Sequence, residues 1–231
     1  DMLEVRIDSV EVAADWGYNV IRPLSGTLPE DFHDVHLTHP RVDRDRDVCI
    51  LPWGGELPLR PFFGVMGVAP PPAYGTISSI QPRVHGGNMD NKELVAGTTL
   101  YLPVWVDGAR FSAGDGHGLQ GDGEVCVSAL EICMDGVFTF ILHSGDGPRA
   151  PRLRYPRAET PTHFISMGFD EDLDQAMKTA LREMIAFICE RTNLSREEAY
   201  SFCSLAVDFH VTQTVNGVKG IHGLLKKGLL F

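Results

Sequence analysis

The sequence contains no apolar run approaching the roughly 20 residues that a bilayer-spanning helix requires, and its N-terminus has neither a basic stretch nor an apolar segment of the secretory kind. A membrane is not an expected partner. Excess positive charge is equally missing, since 20 Lys and Arg face 31 Asp and Glu for a net charge of -11. Nucleic-acid affinity rests on clustered cations that release counterions, so no nucleic-acid partner is expected. The one dense basic stretch, Arg41 to Asp47, sets an acid beside each positive charge and reads as a solvated loop. No CxxC pair occurs among Cys49, Cys126, Cys133, Cys189 and Cys203, and an odd count leaves one thiol over in any disulfide scheme. The expectation is a reducing, cytoplasmic setting. Also absent are a P-loop, a G-x-G-x-x-G fingerprint, a G-x-S-x-G elbow and a nucleophile signature around any cysteine.

What is present suffices for a folded core: 231 residues, 43% hydrophobic and 22% charged. Leu3, Val5 and Ile7 alternate with Glu4, Arg6 and Asp8, and Val10 and Val12 resume the alternation of a half-buried strand. With a strand complete at residue 1, the expectation is that Asp1 is not the natural start of the polypeptide. Residues 13 to 92 are rich in Pro, Gly and His, and their Trp53, Phe62, Phe63, Val65 and Met66 point to packed loops that line something. Leu100, Leu102, Val104 and Val106 form one strand face, with a turn at Asp107-Gly108. Val125 to Cys133 and Val137 to His143 read as a hairpin around Met134-Asp135-Gly136. After about Pro161, Leu173, Ala176, Met177, Ala180, Leu181, Met184, Ile185 and Ile188 recur at helical spacing as a core face. Ser195 and Glu198 make a capping box for a second helix through about Leu205, and Val207, Phe209 and Val211 alternate as a strand. The expected class is α+β: β-rich, sandwich- or barrel-like sheets over residues 1–160, and an α/β region over 161–231 packed on them.

The chemistry concentrates in the loop from Gly114 to Glu124, where Asp115, His117, Asp122 and Glu124 sit among glycines that let the backbone turn side chains inward. A neutral imidazole with carboxylates suits zinc or another divalent first-row metal, and three protein ligands plus a water is the open, catalytic arrangement. Upstream, Gly86-Gly87-Asn88-Met89-Asp90 repeats the theme, and Asp90 is placed to complete the shell. Against this stands the reading of both segments as Gly-rich turns, in which Asn and Asp serve local hydrogen bonding. An EF-hand calcium loop is excluded, because position twelve counted from Asp115 is Cys126 and the flanks are strands. Strand alternation puts Glu124 and Glu131 on opposite sides, so one of them joins the site, and Glu124 is favoured as general base. His33, His36 and His39 precede Pro40 in a loop and read as surface or packing residues; Asp208 reads as a structural acid on its strand.

These segments carry a resemblance. Gly64-Val65-Met66-Gly67-Val68-Ala69-Pro70, Gly86-Gly87-Asn88-Met89-Asp90, Leu100-Tyr101-Leu102-Pro103-Val104, Gly114-Asp115-Gly116-His117 and Gln120-Gly121-Asp122-Gly123-Glu124 are similar to motifs of the acetamidase/formamidase family. So are Ser204-Leu205-Ala206-Val207-Asp208 and Val215-Asn216. The resemblance covers nearly the whole chain and implies a β-rich α+β fold with a helical C-terminal portion. It implies hydrolysis of short aliphatic amides to carboxylate and ammonia, frequent homo-oligomers, and a further N-terminal segment, present on this polypeptide, removed, or supplied as a separate chain. The expected mechanism has Asp90, Asp115 and His117 hold a zinc-like metal, a bound water attack the amide carbon, and Glu124 move the proton to the leaving nitrogen. Asn88 or Gln120 would orient substrate or stabilise the oxyanion, and Trp53, Phe62 and Phe63 would form a small apolar pocket. The rival expectation is a non-catalytic member that uses the same acids as a structural cation site in a scaffold or ligand-binding protein.

Overall fold

The computed structural model describes residues 1–145 and 153–230. In chain order its strands are β1 (Met2–Val12), β2 (Asn19–Ile21), β3 (His36–Thr38), β4 (Arg41–Asp43), β5 (Val48–Ile50), β6 (Glu56–Pro58), β7 (Phe62–Gly67), β8 (Gly86–Asn88), β9 (Thr99–Pro103), β10 (Ser112–His117), β11 (Met134–His143), β12 (Arg157–Glu159) and β13 (His163–Asp170). Helices α1 (Leu173–Arg191) and α2 (Arg196–Ala206) follow, then β14 (Val207–Gln213) and β15 (Lys219–Lys226).

The alternation at the N-terminus becomes the spine of a seven-stranded antiparallel sheet, ordered β11-β1-β9-β12-β13-β15-β14. Leu3, Val5 and Ile7 point inward, and so do Val10 and Val12, which a strict period of two would turn outward. A bulge between Ile7 and Ser9 resets the phase, because the extra residue flips every side chain after it to the other face. The sheet keeps two edges, β11 and β14, so it does not close into a barrel.

A smaller sheet, ordered β10-β7-β8, packs on the large one. Phe63, Met66, Val68 and Met89 share one buried cluster with Val5, Ile7, Leu100, Leu102, Ile165 and Met167. Burying that many large apolar side chains is what holds the two sheets together. The inward face of α1, including Ala176, Ala180, Met184, Ile185 and Ile188, is buried as its period requires. At Gly168 on β13 a Cβ would collide with the backbone of Ala176 and Ala180, so only glycine permits this close approach of helix and sheet. Asp172 caps α1 through Gln175 N–H, and Ser195 with Glu198 forms the expected capping box of α2.

Several expectations fail: β9 ends at Pro103, short of the Val104 and Val106 expected on its face. Residues 125–133 form no strand and no hairpin with 137–143; β11 begins at Met134 itself and pairs instead with β1, Met134 opposite Val12 and His143 opposite Met2. The reason is local: Glu124 and Val127 have φ of 46° and 85°, left-handed conformations that a regular strand excludes. The 13–92 stretch holds seven short strands rather than loops alone, β2 to β8, joined as three small sheets.

Candidate active site

The small sheet sets the site's floor. Gly64 lies on its middle strand, β7, between β10 and β8, and the backbone N–H of Asp90 donates to Gly64 O at 3.1 Å. A Cβ on Gly64 would press most closely on Asp90 Oδ1, with Asp115 Oδ2 at 2.7 Å and His117 Cε1 at 3.0 Å. Three functional groups therefore converge over a residue that has no side chain. Asp90, Asp115 and Glu124 all have positive φ, at 50°, 59° and 46°. Such backbone strain, on the order of 1–3 kcal/mol per residue, persists where surrounding structure imposes it, and functional sites collect it.

His117 is the centre, 1% exposed, with Phe62 edge-on to its ring at 5.1 Å. Its Nδ1 is 2.9 Å from Gln120 Oε1. Gln120 Nε2 donates to Asp90 O at 2.8 Å, which leaves its Oε1 to accept from Nδ1–H. In the neutral ring that bond leaves the lone pair on Nε2, which faces Asp115 Oδ2 at 3.4 Å and Glu131 Oε2 at 3.3 Å. Asp90 Oδ1 lies 3.9 Å from Nδ1 on the other side. Asn216 Nδ2, from the turn between β14 and β15, donates to Asp90 Oδ2 at 2.6 Å and to Asn88 O at 3.2 Å.

Glu124 and Glu131 thus both reach the site, against the opposite-sided placement expected from strand alternation. Residues 130–132 run alongside the end of β10, with Ile132 N–H donating to Gly116 O and Gly118 N–H to Leu130 O, both at 2.8 Å, and this carries Glu131 to His117. Glu124 arrives from the turn before it, 6% exposed. Asn88 stands beside the site, its Nδ2 donating to Ile80 O at 3.2 Å. Asp122 sits apart, held by Lys92 at 2.8 Å and His210 at 3.1 Å. Among the aromatic candidates, Phe62 touches His117, Phe63 packs into the core against Phe138, and Trp53 is exposed. His33, His36 and Asp208 are exposed, and His39 packs edge-on to Trp16.

Electrostatics separates the acids into two kinds. Burial pushes the Glu124 carboxyl up to about 10, with the charge of Asp90 adding to it, and burial raises Asp90 to about 6. Two buried carboxyls side by side cannot both ionise, so Glu124 keeps a proton at neutral pH. Burial alone would lower His117, but the surrounding Asp115, Glu131 and Asp90 carboxylates hold it well above the ordinary imidazole value, so a cation at Nε2 must displace a proton. Burial opposes ionisation of Asp115 too, and His117 outweighs it, so Asp115 lies below the usual range.

A divalent cation fits this donor set. Among the described residues, Asp90 Oδ1, His117 Nε2 and Glu124 Oε2 are buried without a hydrogen-bond partner, a costly arrangement for polar atoms unless a ligand satisfies them. Two triads, Asp90-His117-Glu124 and Asp115-His117-Glu131, each bring one ligand atom per residue within 4.8 Å of the others. A cavity of about 250 Å³ opens beside Gln120 and Glu124, walled by Leu51, Trp53, Leu57, Leu119, Val125 and Leu130. A larger cleft near Val10, Arg41 and Arg44 contains none of these acids or His117.

The sequence profile of the Acetamidase/Formamidase family matches residues 72–220. The chain belongs to that family. It is 49% identical to a formamidase of Methylophilus methylotrophus over a stretch covering 60% of this chain and 38% of that protein. The matched stretch thus spans well under half of that relative. Its fold superposes on an acetamidase of Bacillus halodurans with a TM-score of 0.86 at 34% identity, covering 99% of this chain and 74% of the other. A predicted acetamidase/formamidase of Thermoanaerobacter tengcongensis gives 0.91 at 30% identity, covering 100% and 73%. A γ-lactamase of Delftia acidovorans, at 0.60 and 20% identity, shares the fold.

Proposed function

We propose that this chain carries a metal-dependent amidase site that hydrolyses short aliphatic amides to carboxylate and ammonia. The observation that carries the reading is a buried imidazole ringed by four carboxylates, its Nε2 without a hydrogen-bond partner among the described residues. Formamidase and acetamidase relatives supply the substrate class.

Asp115, His117 through Nε2, and Glu131 would hold the cation, because Gln120 commits Nδ1 to a hydrogen bond. This moves Asp90 from the ligand role expected of it to proton handling. When bound, a zinc-like ion supplies Lewis-acid polarisation of the amide carbonyl and acidifies attacking water. The protein's own groups do the rest. Water adds to the amide carbon as its proton passes to the Asp90 carboxylate, and Glu124 gives its proton to the amide nitrogen. The C–N bond then breaks, ammonia leaves, and the acid product remains. Asn216 fixes Asp90 through Oδ2 and so keeps Oδ1 aimed into the site. The apolar cavity beside Glu124 offers room for the acyl side of the substrate. Metal analysis paired with ammonia release from formamide and acetamide tests this. Undiminished turnover after thorough chelation sinks the metal role, and no ammonia from any short amide sinks the amidase reading.

A further inference from the structure

Away from His117, the β14–β15 hairpin carries a second convergence of ligand side chains. His210 and His222 are direct partners across the two strands, with rings stacked 5.3 Å apart and 11° from parallel. Asp122 reaches them from the glycine-rich loop, its Oδ2 3.1 Å from His210 Nδ1. One ligand atom from each of the three lies within 4.8 Å of the other two. His222 is fully buried, and its Nε2 has no hydrogen-bond partner among the described residues.

We propose that Asp122, His210 and His222 form a second divalent-cation site, of the zinc type, that fastens the glycine-rich loop to the β14–β15 hairpin. Two imidazoles and one carboxylate are a donor set for a first-row ion; calcium and magnesium call for more oxygen. The outer partners suit ligation. Thr212 Oγ1 lies 2.8 Å from His222 Nδ1, and as acceptor from Nδ1–H it leaves the Nε2 lone pair free. Burial keeps His222 neutral, its pKa lowered to about 4, and neutral imidazole is the ligating form. Lys92 takes the other oxygen of Asp122, Oδ1, at 2.8 Å, so it orients the carboxylate without using Oδ2. Glu93, also near His222, is engaged with Arg60.

The site has a consequence for the loop. Asp122 stands between Gln120 and Glu124, and the loop already meets β14 through Gly123 N–H to Thr212 O at 3.2 Å and Thr214 N–H to Gly123 O at 3.0 Å. A cation here adds a cross-link between the loop's side chain and both strands. The inference stands independently of the amidase reading, since none of its three ligands belongs to the His117 cluster.

The test is a zinc and cobalt titration of the chelator-stripped protein, with bound metal counted by elemental analysis and cobalt followed by its visible absorption. Wild type is expected to bind one more equivalent than either His210→Ala or Asp122→Asn, and His117→Ala is expected to retain that equivalent. Zinc should also raise the thermal midpoint of wild type more than that of His210→Ala. His210 is part-exposed, so its alanine variant keeps the fold, which circular dichroism checks, and Asp122→Asn preserves shape as a second variant. Equal stoichiometry and an unchanged cobalt spectrum in both variants overturn the proposal, as does loss of all bound metal in His117→Ala.

Discussion

Gly64→Ala is the most direct probe of the site, because it adds one methyl group and removes no charge or hydrogen bond. Gly64 does not have positive φ, so the backbone accepts alanine and the effect is steric. The new Cβ would press on Asp90 Oδ1 and sit 2.7 Å from Asp115 Oδ2, and both carboxyls must retreat by several tenths of an ångström. Asp90 has nowhere to go, being 1% exposed and held by Asn216 at 2.6 Å. Overpacking of this kind costs about 1–3 kcal/mol in stability. Misplacing reacting groups by about 1 Å costs on the order of 10²-fold in rate. The expected result is a kcat fall of about 10² in an ammonia-release assay, with metal content reduced and a thermal midpoint a few degrees lower. Gly114→Ala is the control: it is next to Asp115, yet its Cβ meets nothing within 4 Å, so activity should be unchanged. Wild-type kcat and metal content in Gly64→Ala would refute the claim that Asp90, Asp115 and His117 converge over this residue.

Glu124→Gln should lower kcat by about 10²–10⁴-fold, the range for loss of general acid–base catalysis, with the fold intact by circular dichroism. The same variant has a stability signature in the metal-free protein. The folded state keeps Glu124 protonated to about pH 10, whereas the unfolded chain releases that proton near 4.5, so this group's contribution falls as pH rises between those values. Glutamine removes the loss, and urea unfolding should show a larger gain at pH 8 than at pH 5; a gain independent of pH contradicts the assignment. Gln120→Ala frees His117 Nδ1 and should weaken metal binding by about 10–100-fold, measured by competition with a chelating dye. Ser195→Ala breaks the α2 capping box and should cost about 1 kcal/mol by urea denaturation while leaving ammonia release untouched.

The features legible in the sequence were those whose cause is local. Helical spacing in α1, the Ser195–Glu198 pair and the alternation of β1 each report a backbone period or cap that a few neighbouring residues determine. The β1–β11 pairing joins residues more than 120 positions apart and has no local signal, so Met134-Asp135-Gly136 looked like a turn when it is the start of an edge strand. In the site, the glycine spacing pointed to Asp115, His117 and Asp90. Asn216 belonged to a recognised segment, but its bond to Asp90 crosses from one sheet to the other. A period of two rests on the assumption of regular alternation after Glu124, which admits only one of Glu124 and Glu131 to the site and favours Glu124. That assumption fails at the residues the site strains, since left-handed Glu124 and Val127 break the period and allow both glutamates to face one imidazole. Asp115 and His117 come from the end of a strand, but bringing Glu124 and Glu131 to the same imidazole takes irregular backbone, and period-based reading loses its purchase there.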